Sequence, residues 1–259
     1  MGVVGLSVAC STSESPENAE PESEPSSGVE AESGLIEEEP EPMEPLGSAY
    51  VVTVAAMRRA PSSDKKITDP DKPKKRIANW VATLHQGETV ELLERQDDWA
   101  RARASDDTEG WIQEKYLAGA DSTKLATLHD EAKVFKRPDL LTLNASRTIK
   151  PGTLLFRLKD KDQFSEVIYC YRTDWVLTDN LIDDERDVEA AKLYAKARWL
   201  KEQRDDGYEP LMELIKAQFS DTRTVEAIEV QQALLEEAAE AEAAARADEK
   251  SAAGAGDEG

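Results

Sequence analysis

The chain repeats itself once. Gly87, Trp99, Trp111 and Leu117 are spaced 12, 12 and 6 residues apart, and Gly152, Phe164, Trp175 and Leu181 come after them with spacings of 12, 11 and 6. The segments around these anchors agree as well. Gly-Glu-Thr-Val-Glu-Leu-Leu from Gly87 stands beside Gly-Thr-Leu-Leu-Phe-Arg-Leu from Gly152, and Arg59-Ala-Pro61 beside Lys136-Arg-Pro138. A solenoid needs at least three repeats to bury a continuous face, so two copies predict tandem domains. In the first copy, β-prone runs fall at Tyr50–Val54, Trp80–Leu84, Thr89–Leu93, Trp99–Arg103 and Glu109–Ile112, with turn residues at Gly87 and Asp97-Asp98. A domain of about 60 residues buries only about 60% of its unfolded surface. With only Ala118 to Lys124 between them, the copies are expected to pack on each other or on the C-terminal segment.

That segment, from Asp183 onward, reads as helical. Asp183-Asp-Glu places acids at a helix start, and Val188, Ala191, Tyr194, Ala195 and Trp199 recur at three-to-four spacing. Asp205-Asp-Gly207 interrupts, a second helix begins at Pro210 with Leu211, Leu214, Ile215, Gln218 and Phe219 on one face, and a third begins after Asp221-Thr222. Its Val225, Ile228 and Leu235 pack on the second domain or, alternatively, form a partner-binding or oligomerising face. The expectation is a mainly β plus α chain: a linker over 11–48, two small β-barrels over 49–120 and 124–182, helices over 183–246 and a disordered tail over 247–259.

The net charge of −22 sits mostly at the ends. Residues 11–48 hold twelve Glu and no Lys, Arg or Asp, and the stretch from Glu229 onward adds −7, so the middle is close to neutral. Such a linker cannot bury enough apolar surface to fold. An acidic chain of this kind repels nucleic acid, and no base-reading motif is present.

The first copy also holds a set of local signatures: Arg59-Ala-Pro-Ser62, the Gly-Glu-Thr-Val turn, Asp97-Asp-Trp99, and Gly110-Trp-Ile112 with Tyr116-Leu117 shortly after. Together they resemble the bacterial SH3 domain. Met57 to Arg59 stands where that family usually has Leu-Asn-Val-Arg, and a long insertion comes next. Residues 126–182 resemble the same domain, with Asp174-Trp-Val176 in place of Gly-Trp-Ile. The resemblance implies two SH3-like barrels whose aromatic grooves, in relatives, bind peptides or cell-wall stem peptides.

The insertion, Asp64 to Asn79, carries Lys65, Lys66, Lys72, Lys74, Lys75 and Arg76 against three Asp. Beside Trp80 it presents cations and an aromatic face to an anionic or peptidic ligand, or is a mobile surface loop whose lysines keep it solvated. The candidate ligand-binding residues are Arg59, Lys74, Lys75, Arg76, Trp80 and Trp111. Trp99, Phe164 and Trp175 are read as core.

At the other end, Leu6-Ser-Val-Ala-Cys10 closes an apolar opening and precedes Ser-Thr-Ser-Glu. It resembles the lipobox of bacterial lipoproteins, in which the Cys becomes the lipidated first residue. Ser7 departs from the usual Leu, and the apolar stretch is short. The resemblance implies a membrane anchor on Cys10 and a cell-envelope location. Ser11 after the Cys resembles outer-membrane sorting, facing the periplasm. The plainer alternative is a disordered N-terminus with an incidental Cys.

No enzyme is expected. A cysteine peptidase of the kind that often accompanies such domains needs a His downstream of its nucleophile, whereas His85 and His129 both precede Cys170, read as a strand position. No phosphate loop, GxSxG or HExxH occurs, and no metal or cofactor is implied. The expected role is a non-catalytic envelope lipoprotein binding peptidoglycan or a protein partner. The alternative is an assembly subunit whose helices recruit a partner while the barrels serve as scaffold.

Overall fold

A computed structural model describes residues 44–254, with side chains to residue 244. The expected anchor at Cys10 and most of the 11–48 linker lie outside the described residues. The first sheet contains β1 (Gly47–Val51), β2 (Ala55–Arg58), β5 (Trp80–Leu84), β6 (Thr89–Gln96), β7 (Trp99–Arg103), β8 (Glu109–Gln113) and β9 (Leu117–Gly119), in the order β5-β2-β8-β7-β6-β1-β9. β3 (Lys66–Thr68) and β4 (Arg76–Ala78) form a separate hairpin within the insertion. The second sheet contains β10 (Lys124–Leu128), β11 (Ala132–Phe135), β12 (Leu143–Ile149), β13 (Leu155–Lys161), β14 (Phe164–Tyr169), β15 (Arg172–Leu177) and β16 (Leu181–Ile182), in the order β12-β11-β15-β14-β13-β10-β16. Taken in chain order, the two curled sheets have the same strand sequence.

The repeated residues occupy matching places. Trp99 and Phe164 open β7 and β14, Trp111 and Trp175 sit in β8 and β15, and Leu117 and Leu181 open β9 and β16. Gly87 (φ 87°) donates its N–H to Val51 O at 2.8 Å, and Gly152 (φ 69°) to Leu128 O at 2.8 Å. Both glycines need the left-handed backbone that lacks a Cβ penalty. Both also sit against a neighbour: a Cβ at Gly87 would lie 2.6 Å from Leu154 Cδ2, and one at Gly152 2.6 Å from Ile228 Cγ1.

Several boundaries differ from the sequence reading. Gly47 and Ser48, read as linker, belong to β1, because their backbone pairs with Leu92 and Glu91 of β6. The single run read at Tyr50–Val54 is broken after Val51, where Val52 turns its N–H to Tyr116 O. Cys170 is not in a strand. With Tyr171 it forms the two-residue turn between β14 and β15, both at positive φ (50° and 62°), as the twist of a tight hairpin demands.

The helices are α1 (Glu185–Gln203), α2 (Tyr208–Gln218) and α3 (Arg223–Gly254). Asp184 caps α1 by accepting from the N–H groups of Arg186 and Asp187. Buried Asp187 in turn accepts from Thr224 N–H at 2.7 Å, tying α1 to the start of α3. On α2, Met212 is buried in place of Leu214 and Gln218, which face outward, so the apolar stripe is rotated from the one expected. α3 runs past residue 246 to Gly254, since Ala, Glu and Lys are good helix formers.

Each sheet has its own core, around Met57 and Ile112 in the first and Leu128 and Ile149 in the second. A third cluster joins them. Val52 and Ala118 from the first sheet, Leu154 and Phe156 from the second, and Val188 and Ala191 from α1 are packed together. The expected mutual packing is therefore present, with α1 as its third wall.

Candidate ligand-binding face

Residues directly opposite one another on adjacent strands share a face of the sheet. Arg58 of β2 pairs with Trp80 of β5 on one side and Trp111 of β8 on the other. Trp111 pairs with Arg101 of β7, and Arg101 with Glu94 of β6. The result is a row, Trp80–Arg58–Trp111–Arg101–Glu94, on the outer face of the first sheet. Its inward neighbours Met57, Ile112, Ala100 and Ala102 are in the core. Trp80 is 55% exposed.

The two cations of the row differ in their electrostatic state. Arg101 Nη2 meets Glu109 Oε2 at 2.8 Å, and Arg103 meets the other carboxylate oxygen at 2.9 Å. The hydrogen bond from Arg103, with help from Arg101, holds the Glu109 carboxyl below the usual carboxylate range against the opposing effect of burial. Arg58, by contrast, donates Nη1 only to the backbone oxygen of Asp64 at 3.3 Å and has no carboxylate partner among the described residues. It also lines a cleft of about 320 Å³ with Trp99, Gln113, Lys115 and Tyr116.

The insertion borders this row as an ordered hairpin. Its organiser is Asn79, which is fully buried. The side-chain amide donates to Ser62 O (2.9 Å), Asp64 O (3.1 Å) and Ala60 O (3.5 Å), and its carbonyl accepts from Ala60 N–H (3.0 Å). A buried amide this well satisfied fixes the 60–64 loop against the hairpin base. Arg76 closes the hairpin by donating to Lys66 O at 2.5 Å.

The structure brings together some of the candidates from sequence and not others. Trp80 and Trp111 flank Arg58, which sequence reasoning passed over. Lys74, Lys75 and Arg76 are exposed on the hairpin next to Trp80. Arg59 is exposed, its N–H bonded to Asn79 O, and it lies outside the row. The signal that selects Arg58 is a bulge: Met57 pairs with Ala82 but Arg58 with Trp80, leaving Val81 as an extra residue.

Residues 76–118, from β4 into β9, match the family model of the bacterial SH3 domain. No curated protein matches the chain. Among solved structures it is similar to NlpC2 from Trichomonas vaginalis, at 16% identity over 60% of this chain and 55% of that one, with a TM-score of 0.23. NlpC1 from the same organism gives 18% identity, 59% and 54% coverage and 0.22. An NlpC/P60 family protein from Bacillus cereus gives 13% identity, 59% and 63% coverage and 0.30. The chain spans less than two thirds of the length of each.

Proposed function

We propose that the chain is a non-catalytic protein of the bacterial cell envelope, built on tandem SH3-like barrels and tethered to the outer membrane by a lipid on Cys10. It binds peptidoglycan or an envelope protein. Its ligand face is the Trp80–Arg58–Trp111 row of the SH3-matched segment. The observation that carries this reading is Arg58, a cation with no carboxylate partner among the described residues, held between two tryptophans and beside a basic hairpin. Aromatic edges and an unneutralised guanidinium suit a peptide that presents carbonyls and carboxylates. The second sheet, with its identical strand order, supports reading both halves as SH3-like.

The test is co-sedimentation of the full chain with purified peptidoglycan sacculi, wild type beside Trp80→Ala and Arg58→Gln. Retention of the wild type and release of both variants is the expected result. Equal retention of all three would move the ligand face elsewhere, and no retention of the wild type would leave an envelope protein as the partner to seek by crosslinking. A second reading, recruitment through the helices, is favoured by one feature. Val230, Leu234 and Leu235 of α3 are each more than half exposed and line a groove with Lys150 and Pro151 of the second sheet.

A further inference from the structure

A second cleft lies where both sheets meet α1, with Val54 between it and the cleft beside Arg58. It encloses about 260 Å³ and is lined by Val52–Val54 and Gln86 of the first sheet, Gly152–Leu154 and Tyr169 of the second, and the C-terminal half of α1. Tyr194, Arg198 and Glu202 succeed one another at four-residue steps on that helix, which places them on one face about 6 Å apart. The two opposite charges do not neutralise each other: neither Arg198 nor Glu202 forms an ion pair among the described residues.

Thr153 is also part of the lining. It is 4% exposed, and its hydroxyl oxygen has no hydrogen-bond partner. That oxygen is closed to any group entering the cleft, as the equally unbonded Thr123, Thr127 and Thr224 hydroxyls are closed to solvent, so Thr153 belongs to the wall and makes no contact with an occupant. Tyr169 and Tyr194 add phenols whose pKa is pushed up mainly by burial, so both remain hydrogen-bond donors at neutral pH. Gln86 bridges the two sheets by donating to Leu154 O at 3.2 Å. The volume is below the roughly 300 Å³ at which drug-sized pockets begin, which restricts the occupant to a small molecule.

We propose that this junction cleft binds a small zwitterion, a free amino acid or dipeptide, with its carboxylate on Arg198 and its ammonium on Glu202. Occupancy here does not depend on the outer-face ligand. Because the occupant touches both sheets and α1, its binding stabilises their junction by mass action.

Titration calorimetry on the full chain tests this with three probes: glycylglycine, N-acetylglycylglycine, which lacks the ammonium, and glycylglycine amide, which lacks the carboxylate. Glycylglycine is expected to bind, and each blocked form at least about tenfold more weakly, as loss of one charge-assisted contact implies. Arg198→Gln should weaken glycylglycine and the acetylated form while leaving the amide unchanged. Glu202→Gln should weaken glycylglycine and the amide while leaving the acetylated form unchanged. Both side chains are exposed, so the variants keep the fold, and an unchanged thermal midpoint without ligand confirms it. No heat from glycylglycine up to about 10 mM, where a millimolar Kd registers, would overturn the proposal. Equal binding of the three probes, or indifference to both charge substitutions, would do the same.

Discussion

The outer row of the first sheet has a counterpart in the second. There Leu143 pairs with Phe135, Phe135 with Trp175, Trp175 with Glu166, and Glu166 with Lys159. Position by position, Trp80–Arg58–Trp111–Arg101–Glu94 becomes Leu143–Phe135–Trp175–Glu166–Lys159. The Arg beside the central Trp has become a Phe, Trp80 a Leu, and the two charges on the far side have exchanged sign. The consequence is closure. Phe135, Phe164 and Trp175 are buried as an apolar cluster of their own, with the two Phe rings 5.2 Å apart and edge to face. Lys159 pairs with Glu166 at 3.0 Å and lies over the Trp175 ring. One frame thus carries an open cationic-aromatic row in its first copy and a sealed one in its second.

The inward positions differ too. Gly110 precedes Trp111, and a Cβ there would lie 2.5 Å from Met57 Cγ and 2.8 Å from Arg58 O. In the second sheet the same place holds Asp174, whose carboxylate meets Arg147 at 2.6 Å. Gly110 therefore leaves room for Met57 in the first sheet, whereas the second has the smaller Val134 at the Met57 place and an ion pair at the Gly110 place.

The contrast can be broken most directly at Trp175. Trp175→Ala should cost about 3–5 kcal/mol in chemical denaturation because the closed row loses its centre, and half-buried Trp111→Ala should cost less. Equal losses would mean that the second row is no more sealed than the first. Gly110→Ala should cost about 1–3 kcal/mol by overpacking against Met57, whereas Asp174→Gly should leave the Met57 core of the first sheet untouched. Asn79→Ala removes the amide holding the 60–64 loop, with an expected loss of about 1–3 kcal/mol. Hydrogen exchange should then quicken in the β3–β4 hairpin and remain unchanged across the 138–142 loop that replaces it in the second copy. Trp80→Ala should shift stability by no more than about 0.5 kcal/mol, since an exposed edge of an open row contributes to binding and little to folding.

The smallest effect concerns pH. His85 comes directly after β5 and packs against Trp199 of α1, with ring centroids 4.8 Å apart. Burial, and then the nearby Lys196 charge, push its pKa below the ordinary 6.5. A lowered basic pKa means that the unfolded chain binds the proton more readily, so stability is complete above 6.5 and declines as pH falls from there toward the folded value. The same position after β12 is Lys150. A shallow decline in the thermal midpoint below pH 6.5 that His85→Gln abolishes is the expected outcome. A decline that persists in His85→Gln would place its origin elsewhere.

The sequence made the repeat legible because its anchors are local and large: β5 and β7 begin and end where alternation and turn residues put them. Arg58 was hidden because the bulge at Val81 shifts which residue faces Trp80, and alternation along one strand does not reveal its partner's register. The β3–β4 hairpin was hidden because its Lys, Asp and Pro composition reads as loop. Its order depends on Asn79, bonded to residues 15 to 19 positions away. The Cys170–Tyr171 turn lacks the Asn-Gly signal of its geometry and lies among β-prone residues. The row itself is a property of five strands at once, which no window of sequence contains.

β1 enters the described structure at the start of the first sheet and lies between β6 and β9, hydrogen-bonded on both sides. Leu46 N–H adds a further bond to Leu92 O just ahead of it. A mechanical load arriving through residue 44 along the strand axis therefore has to shear two ladders together, so the point of entry is among the stronger seams of the first sheet.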